Sequence, residues 1–243
     1  MFNHQFGDKV GVKVLFHWFL MSFAGGAINA GGFLATGRFV SHVTGFATLF
    51  GVDINNYQFE AAFGILSVPL FFFLGAFIAG ILIDKPVFEG KRPRFDLVMG
   101  ISAFCLFISS ASGEILRDSI FGDRIELNQS YLLLALLCMA CGLQNAAITS
   151  SSKSSVRTTH LTGLTTDLGL GLARMYTLTA DKKSASQELR LNSWRIGSIL
   201  SFIFGSAVGA TVFLHFGYRG FLLPAVIAVY AAWHGRLQIK SET

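Results

Sequence analysis

Six long apolar runs dominate this chain, each near the roughly 20 residues a helix needs to cross about 30 Å of hydrocarbon. They extend from about Val14 to Ala35, Glu60 to Ile83, Phe95 to Leu116, Tyr131 to Thr149, Trp194 to Phe216 and Phe221 to Trp233. Lipid offers the backbone no hydrogen-bond partner, so such runs fold as helices. Composition agrees, with 52% hydrophobic and 14% charged residues, against about a quarter charged in soluble domains. The formal charge of +5 does not point to nucleic acid, because the basic residues are scattered through the connections. The expected fold is all-α: a polytopic membrane protein with residues 1–243 as a single membrane domain.

Charge placement sets an expected orientation. Lys85, Lys91, Arg92, Arg94, Lys153, Arg157, Arg174, Lys182, Lys183 and Arg190 lie in the second-to-third and fourth-to-fifth connections, on the side of both termini. Arg38, Arg117, Arg124 and Arg219 occupy the other side. Positive loops resist translocation, so both termini are expected in the cytoplasm of a multi-pass inner-membrane protein. The first run is longer than a signal core and lacks a small-residue cleavage site, so it is expected to stay as the first helix. Cys138-x-x-Cys141 has redox-pair spacing without the strand-and-helix context of such a pair. With Cys105, these residues read as small, polarizable packing groups. Trp18, Trp194, Trp233, Tyr131 and Tyr218 lie near run ends, as interfacial anchors would. Pro69 and Pro224 are expected to bend the second and sixth helices.

The chain is also duplicated. Ser41-His42-Val43-Thr44-Gly45 returns as Thr159-His160-Leu161-Thr162-Gly163. Upstream, Gly26-Ala27-Ile28-Asn29-Ala30 matches Gly142-Leu143-Gln144-Asn145-Ala146, with two extra residues in the second copy. Downstream, Leu74-Gly75-Ala76-Phe77 resembles Phe204-Gly205-Ser206-Ala207. Three runs precede the midpoint and three follow, so the copies (about 12–117 and about 129–238) are expected as inverted three-helix repeats. The Gly75/Gly80 and Gly205/Gly209 sets suit close helix contacts.

The motif itself predicts a broken helix. Glycines with serine and threonine hydroxyls loosen a helix and hydrogen-bond freed backbone groups. Breaks are expected near Gly37–Thr44 and Ser150–Thr162, with restarts at about Gly45 and Gly163 and with Thr44 and Thr162 as caps. A restarted helix offers free amides and partial positive charge to an electron-rich group. The candidate path residues are Asn29, Ser41, His42, Thr44 and Gly45, with Gln144, Asn145, Thr159, His160, Thr162 and Gly163. The asparagines serve equally well as helix-joining hydrogen-bonders. The stretch Ala173–Leu191 reads as a cytoplasmic loop, alternatively with an amphipathic helix on the membrane, and a solvated helix is expected to restart at Gln187-Glu188-Leu189-Arg190.

On these residues the chain resembles a known family. Ala30-Gly31-Gly32-Phe33-Leu34, Phe39-Val40-Ser41 and Thr44-Gly45 look like the first signature of the YoaK-like bacterial membrane proteins. Gly142-Leu143-Gln144-Asn145-Ala146 and Thr158-Thr159-His160-Leu161-Thr162-Gly163 look like the second. The resemblance implies the six-span architecture and, the family being of unknown function, no substrate. Where family members often carry an acidic residue and an asparagine, this chain has Asn29 and Phe46.

Inverted repeats with broken helices favour a small-molecule transporter or permease whose site lies between the repeats. An enzyme acting on a lipid-linked substrate is the alternative, yet no paired carboxylates, HExxH spacing or Ser/His/Asp set occurs in the runs. A non-transporting assembly factor is the third class. No catalytic residue, metal or cofactor is implied. The expected partners are membrane lipids and a small solute, with no nucleic acid, and six spans are compatible with a homo-oligomer.

Overall fold

The computed structural model describes residues 10–115, 121, 127–177 and 182–241, and among them every regular element is helical. The order is α1 (Val12–Thr36), α2 (Val43–Asn55), α3 (Phe59–Phe88), α4 (Phe95–Ile115), α5 (Leu127–Ser151), α6 (Leu161–Thr177), α7 (Lys182–Phe216), a 3-10 turn (Gly217–Phe221) and α8 (Leu222–Ser241). Five stretches are long and apolar enough to cross a membrane: Val12–Thr36, Phe59–Phe88, Phe95–Ser112, Tyr131–Ser151 and Ser184–Gly235. The last contains both α7 and α8, where the sequence suggested two separate runs. Only the short 3-10 corner divides them, with Gly217 at φ 55° making the turn. The outward faces are apolar, as lipid requires: Phe63, Leu70, Phe73 and Phe77 of α3 and Leu200, Ile203 and Phe204 of α7 are exposed.

Two helices are too short to cross. At 13 and 17 residues, α2 and α6 are about 20 and 26 Å long at 1.5 Å per residue. Each packs on the long helix that follows it, α2 on α3 and α6 on α7.

The long helices pair across the duplication. The two largest contacts are α1 with α7 and α3 with α5, and α4 packs on α8. Glycines set the first two crossings. A Cβ on Gly26 would overlap the Phe202 carbonyl, and one on Gly205 the Phe23 carbonyl. In the other pair, a Cβ on Gly142 would overlap the Phe72 carbonyl, and one on Gly75 the Met139 carbonyl. Gly26 corresponds to Gly142 in the repeat, and Gly75 to Gly205, so one contact is made twice with the copies exchanged. Small residues allow this close approach, which lets dispersion hold helices together where no hydrophobic drive exists between them. Gly209 also packs closely, a Cβ there standing 2.7 Å from Ala27 Cα, but Gly80 faces open space.

Buried side chains form two apolar clusters, one including Ile28, Leu106, Leu137 and Phe213, the other Trp18, Val98, Ile148 and Val156. Between their levels on α1, α4 and α5 lie Gly25, Gly26, Ser102, Gly142 and Gln144, all buried. A polar and small-residue layer therefore crosses the middle of the bundle.

Several sequence expectations change. Helix α7 begins at Lys182, upstream of Gln187, so most of the described part of Ala173–Leu191 is helical. An ion pair from Arg174 to Glu188 (3.1 Å) ties α6 to α7 there. Trp18 and Tyr218 are buried at 1% and 6% exposure, and so do not anchor at an interface; Trp18 meets Trp194 edge-on. Pro224 sits in the first turn of α8, where its missing N–H removes no helix bond. Helix α3 runs on through Pro69. Lys9, Leu116, Arg117 and Arg124 lie outside the described residues.

The glycine crossings make a direct test. Gly26→Val and Gly142→Val are each expected to destabilise by about 1–3 kcal/mol, the range for overpacked contacts. Gly80→Val, with nothing nearer than Asp84 Oδ2 at 3.9 Å, should change stability by about 0.5 kcal/mol or less. Thermal melts of the purified variants in detergent decide; indistinguishable melts for the three would contradict this packing.

Candidate functional site

The first break begins where Gly37 closes α1 in the left-handed conformation at φ 69°, its N–H bonding the Phe33 carbonyl at 2.8 Å. The chain then doubles back along α1. Phe39 stacks on Phe33 at 4.5 Å between ring centroids. Val40 packs on Gly32. Ser41 reaches Asn29, whose Oδ1 accepts from the Ser41 hydroxyl (3.1 Å) and backbone N–H (3.4 Å). From the facing helix, the Cys138 thiol donates to the Val40 carbonyl at 2.8 Å. The bonds to the Ser41 N–H and the Val40 carbonyl satisfy backbone groups that helix geometry no longer serves. Such a group left bare in lipid costs several kcal/mol.

The second break repeats this. After α5, Lys153 (φ 49°) and Ser154 (φ 64°) reverse the chain, and the Ser152 hydroxyl bridges the N–H and carbonyl of Val156 at 3.0 Å each. Asn145 Oδ1 then accepts from the Thr159 N–H at 3.4 Å, as its counterpart Asn29 does from Ser41. The Thr158 carbonyl lies against Gly25 of α1, where a Cβ would stand 2.9 Å away.

Both breaks therefore exist where expected, but the helices restart two residues earlier than Gly45 and Gly163. The His42 carbonyl already accepts from Gly45 and Phe46 N–H at 2.9 and 3.3 Å, and the His160 carbonyl from Leu164 at 3.2 Å. Thr44 and Thr162 thus sit inside the first turn and cap nothing; their carbonyls accept from the Thr48 and Thr166 hydroxyls at 3.0 and 2.9 Å. The glycines of the motif have a different purpose. A Cβ on Gly45 would stand 2.6 Å from His42 Nδ1, and one on Gly163 2.8 Å from His160 Nδ1. Each imidazole folds over the first turn of its own helix, against the glycine three residues on.

The two breaks contact α1 and α5 at levels about 6–10 Å apart. Gly25, touched by the second break, and Asn29 and Gly32, touched by the first, fall on one face of α1. Gly25 and Asn29 are about 6 Å apart along the axis, near the middle of Val12–Thr36. On α5 the contacts fall at Cys138 and Asn145, about 10 Å apart.

Not every candidate joins them. Asn29, Ser41 and His42 gather at one break, and Asn145, Thr159 and His160 at the other. The side chains of His42, Thr44, His160 and Thr162 are exposed, while Asn29 and Asn145 are half-buried. Gln144 stands apart, fully buried, its Nε2 donating to the Ser102 hydroxyl at 2.9 Å. Cys138 and Arg157 were missed by motif reading. A thiol inside an apolar run carries no sign of its carbonyl partner, but Arg157 falls opposite Phe39 in the repeat, and that unmatched charge was visible. Arg157 Nη1 donates to His160 Nδ1 at 2.8 Å. At the far end of α2 an open groove is lined by Arg38, Asp53, Tyr57, Glu60 and Tyr131. Among the described residues no three His, Cys, Asp or Glu side chains gather to hold a metal.

No match was found among curated proteins or among solved structures. The profile of the family described as a protein of unknown function (DUF1275) matches residues 17–233, spanning both breaks and all the long helices between them. With its paired motifs, its all-helical fold and this match over most of its length, the chain belongs to the DUF1275 family.

Proposed function

We propose that the protein is a transporter or permease for a small polar solute, with its site where the two breaks meet. On this reading α1, α3, α4, α5, α7 and α8 cross the inner membrane as two inverted trios, with both termini cytoplasmic. The helices α2 and α6 dip in from opposite faces, and their N-termini approach one another near the midplane. The observation that carries the reading is the contact of both breaks with one face of α1, at levels about 6–10 Å apart along its axis. The exchanged glycine contacts support the inverted arrangement. Irregular backbone at this depth is tolerated where it lines a cavity or is buried in protein. Discontinuous helices at the interface of repeats are how such folds hold a solute. His42 and His160 lie beside the helix starts, where their ring nitrogens can hydrogen-bond a solute.

Flux is the direct test. Sealed proteoliposomes loaded with a labelled mixture of small metabolites are expected to lose at least one component faster than protein-free vesicles. His42→Ala and His160→Ala should each slow that loss by about tenfold, as for removal of a polar group contacting a solute. Retention of the whole mixture at the protein-free rate, with and without a membrane potential or pH gradient, would end the transport reading.

Water access gives a second test without a known solute. Thiols react as thiolates, which form only where water reaches. His42→Cys and His160→Cys should therefore react with a charged methanethiosulfonate reagent, while Phe73→Cys on the exposed face of α3 and the buried native cysteines stay inert. If the two histidine positions prove as unreactive as position 73, they face lipid and no aqueous path reaches them.

A further inference from the structure

We infer that the first turn of α6 binds a small planar oxyanion, a carboxylate first of all. The inference rests on reading the breaks as a solute path, and names the class of solute. Arg157 is the starting point. Its guanidinium has no acceptor, so in the 2.8 Å bond with His160 the imidazole Nδ1 must carry the lone pair. That keeps His160 neutral, with its remaining proton on Nε2 as a donor. Arg157 itself forms no ion pair with a carboxylate among the described residues, Asp167 of the same helix included.

The guanidinium lies over the N-terminal turn of α6, its Nη1 2.5 Å from where a Cβ on Gly163 would stand. A helix N-terminus carries partial positive charge and unbonded amides, so a cation there is opposed. Near the depth of Gly25, water screens that opposition poorly. Arginines at such depth are rare and face a partner or a water-filled cavity. An anion held by both the guanidinium and the helix amides reverses the sign of the interaction.

The two residues between Arg157 and His160 carry hydroxyls without partners. The hydroxyls of Thr158 and Thr159, residues 0% and 7% exposed, are buried with no hydrogen bond. The Thr159 methyl faces Gly25, 3.1 Å from where a Cβ would stand. The first break lacks this set: Phe39 replaces Arg157 and stacks on Phe33. Among the described residues, only at the second break does a guanidinium hydrogen-bond the motif histidine. A guanidinium fork matches two coplanar oxygens, which selects carboxylate over a spherical ion.

The test uses the purified full-length protein and sodium acetate, replacing sodium gluconate at constant ionic strength. Acetate is expected to raise the melting temperature saturably, and acetamide, its neutral isostere, to leave it unchanged. Arg157→Gln should weaken acetate binding by about tenfold or more, and Arg157→Lys, which keeps the charge and loses the fork, by less. Equal responses to acetate and acetamide, or no response to either, would overturn the inference, and this wild-type comparison decides even if Arg157→Gln fails to fold. A folded Arg157→Gln that binds acetate normally would also overturn it. Arg157-dependent acetate binding without flux of any solute removes the transport reading alone. Flux of a neutral solute that ignores both acetate and Arg157→Gln removes the anion site alone.

Discussion

Everything in this fold depends on one constraint: backbone N–H and C=O groups away from water need partners. A straight helix meets that need internally. In this chain α1 and α5 each end in a break, and at each break an asparagine about two turns before the helix end reaches out to the returning chain. Asn29 accepts from Ser41 and Asn145 from Thr159. Cys138 serves the Val40 carbonyl from across the bundle. Each such bond contributes about 0.5–1.5 kcal/mol net, yet leaving the group bare costs more than the bond returns. The asparagines are therefore framework residues, and their amides hold the returning chain just before each helix start.

Exchanged pairing gives the breaks a rigid mount. Gly26 against the Phe202 carbonyl and Gly142 against the Phe72 carbonyl are the same contact made by opposite copies. Such helix pairs cannot be pulled apart locally without opening a void. The shorter α2 and α6 lean on α3 and α7 and leave their histidine- and threonine-bearing faces exposed. The division suits a molecule whose stiff part and working part are separate elements.

The two copies have diverged where chemistry would need them to. Two extra residues lengthen the second break, and Arg157 stands where the first copy has Phe39. The first break is closed by a ring stack; the second carries a cation over a helix N-terminus. A pseudo-symmetric scaffold with asymmetric chemistry can treat the two faces of a membrane differently.

The amino-acid sequence alone determined the helical class, the apolar runs, the duplication and the existence of both breaks. These follow from hydrophobicity, periodicity and local backbone preference, which are properties of short segments. Only the tertiary structure decided the rest. It placed Trp18 between helices instead of at an interface, put Gln144 against Ser102, and set the helix starts at Val43 and Leu161. It gave the motif glycines their reason, since the room they leave is filled by His42 and His160. It also paired Cys138 with Val40 and laid Arg157 over α6. Each of these is a contact between side chains and backbone brought together by packing, and the geometry of packing is not encoded in any one segment.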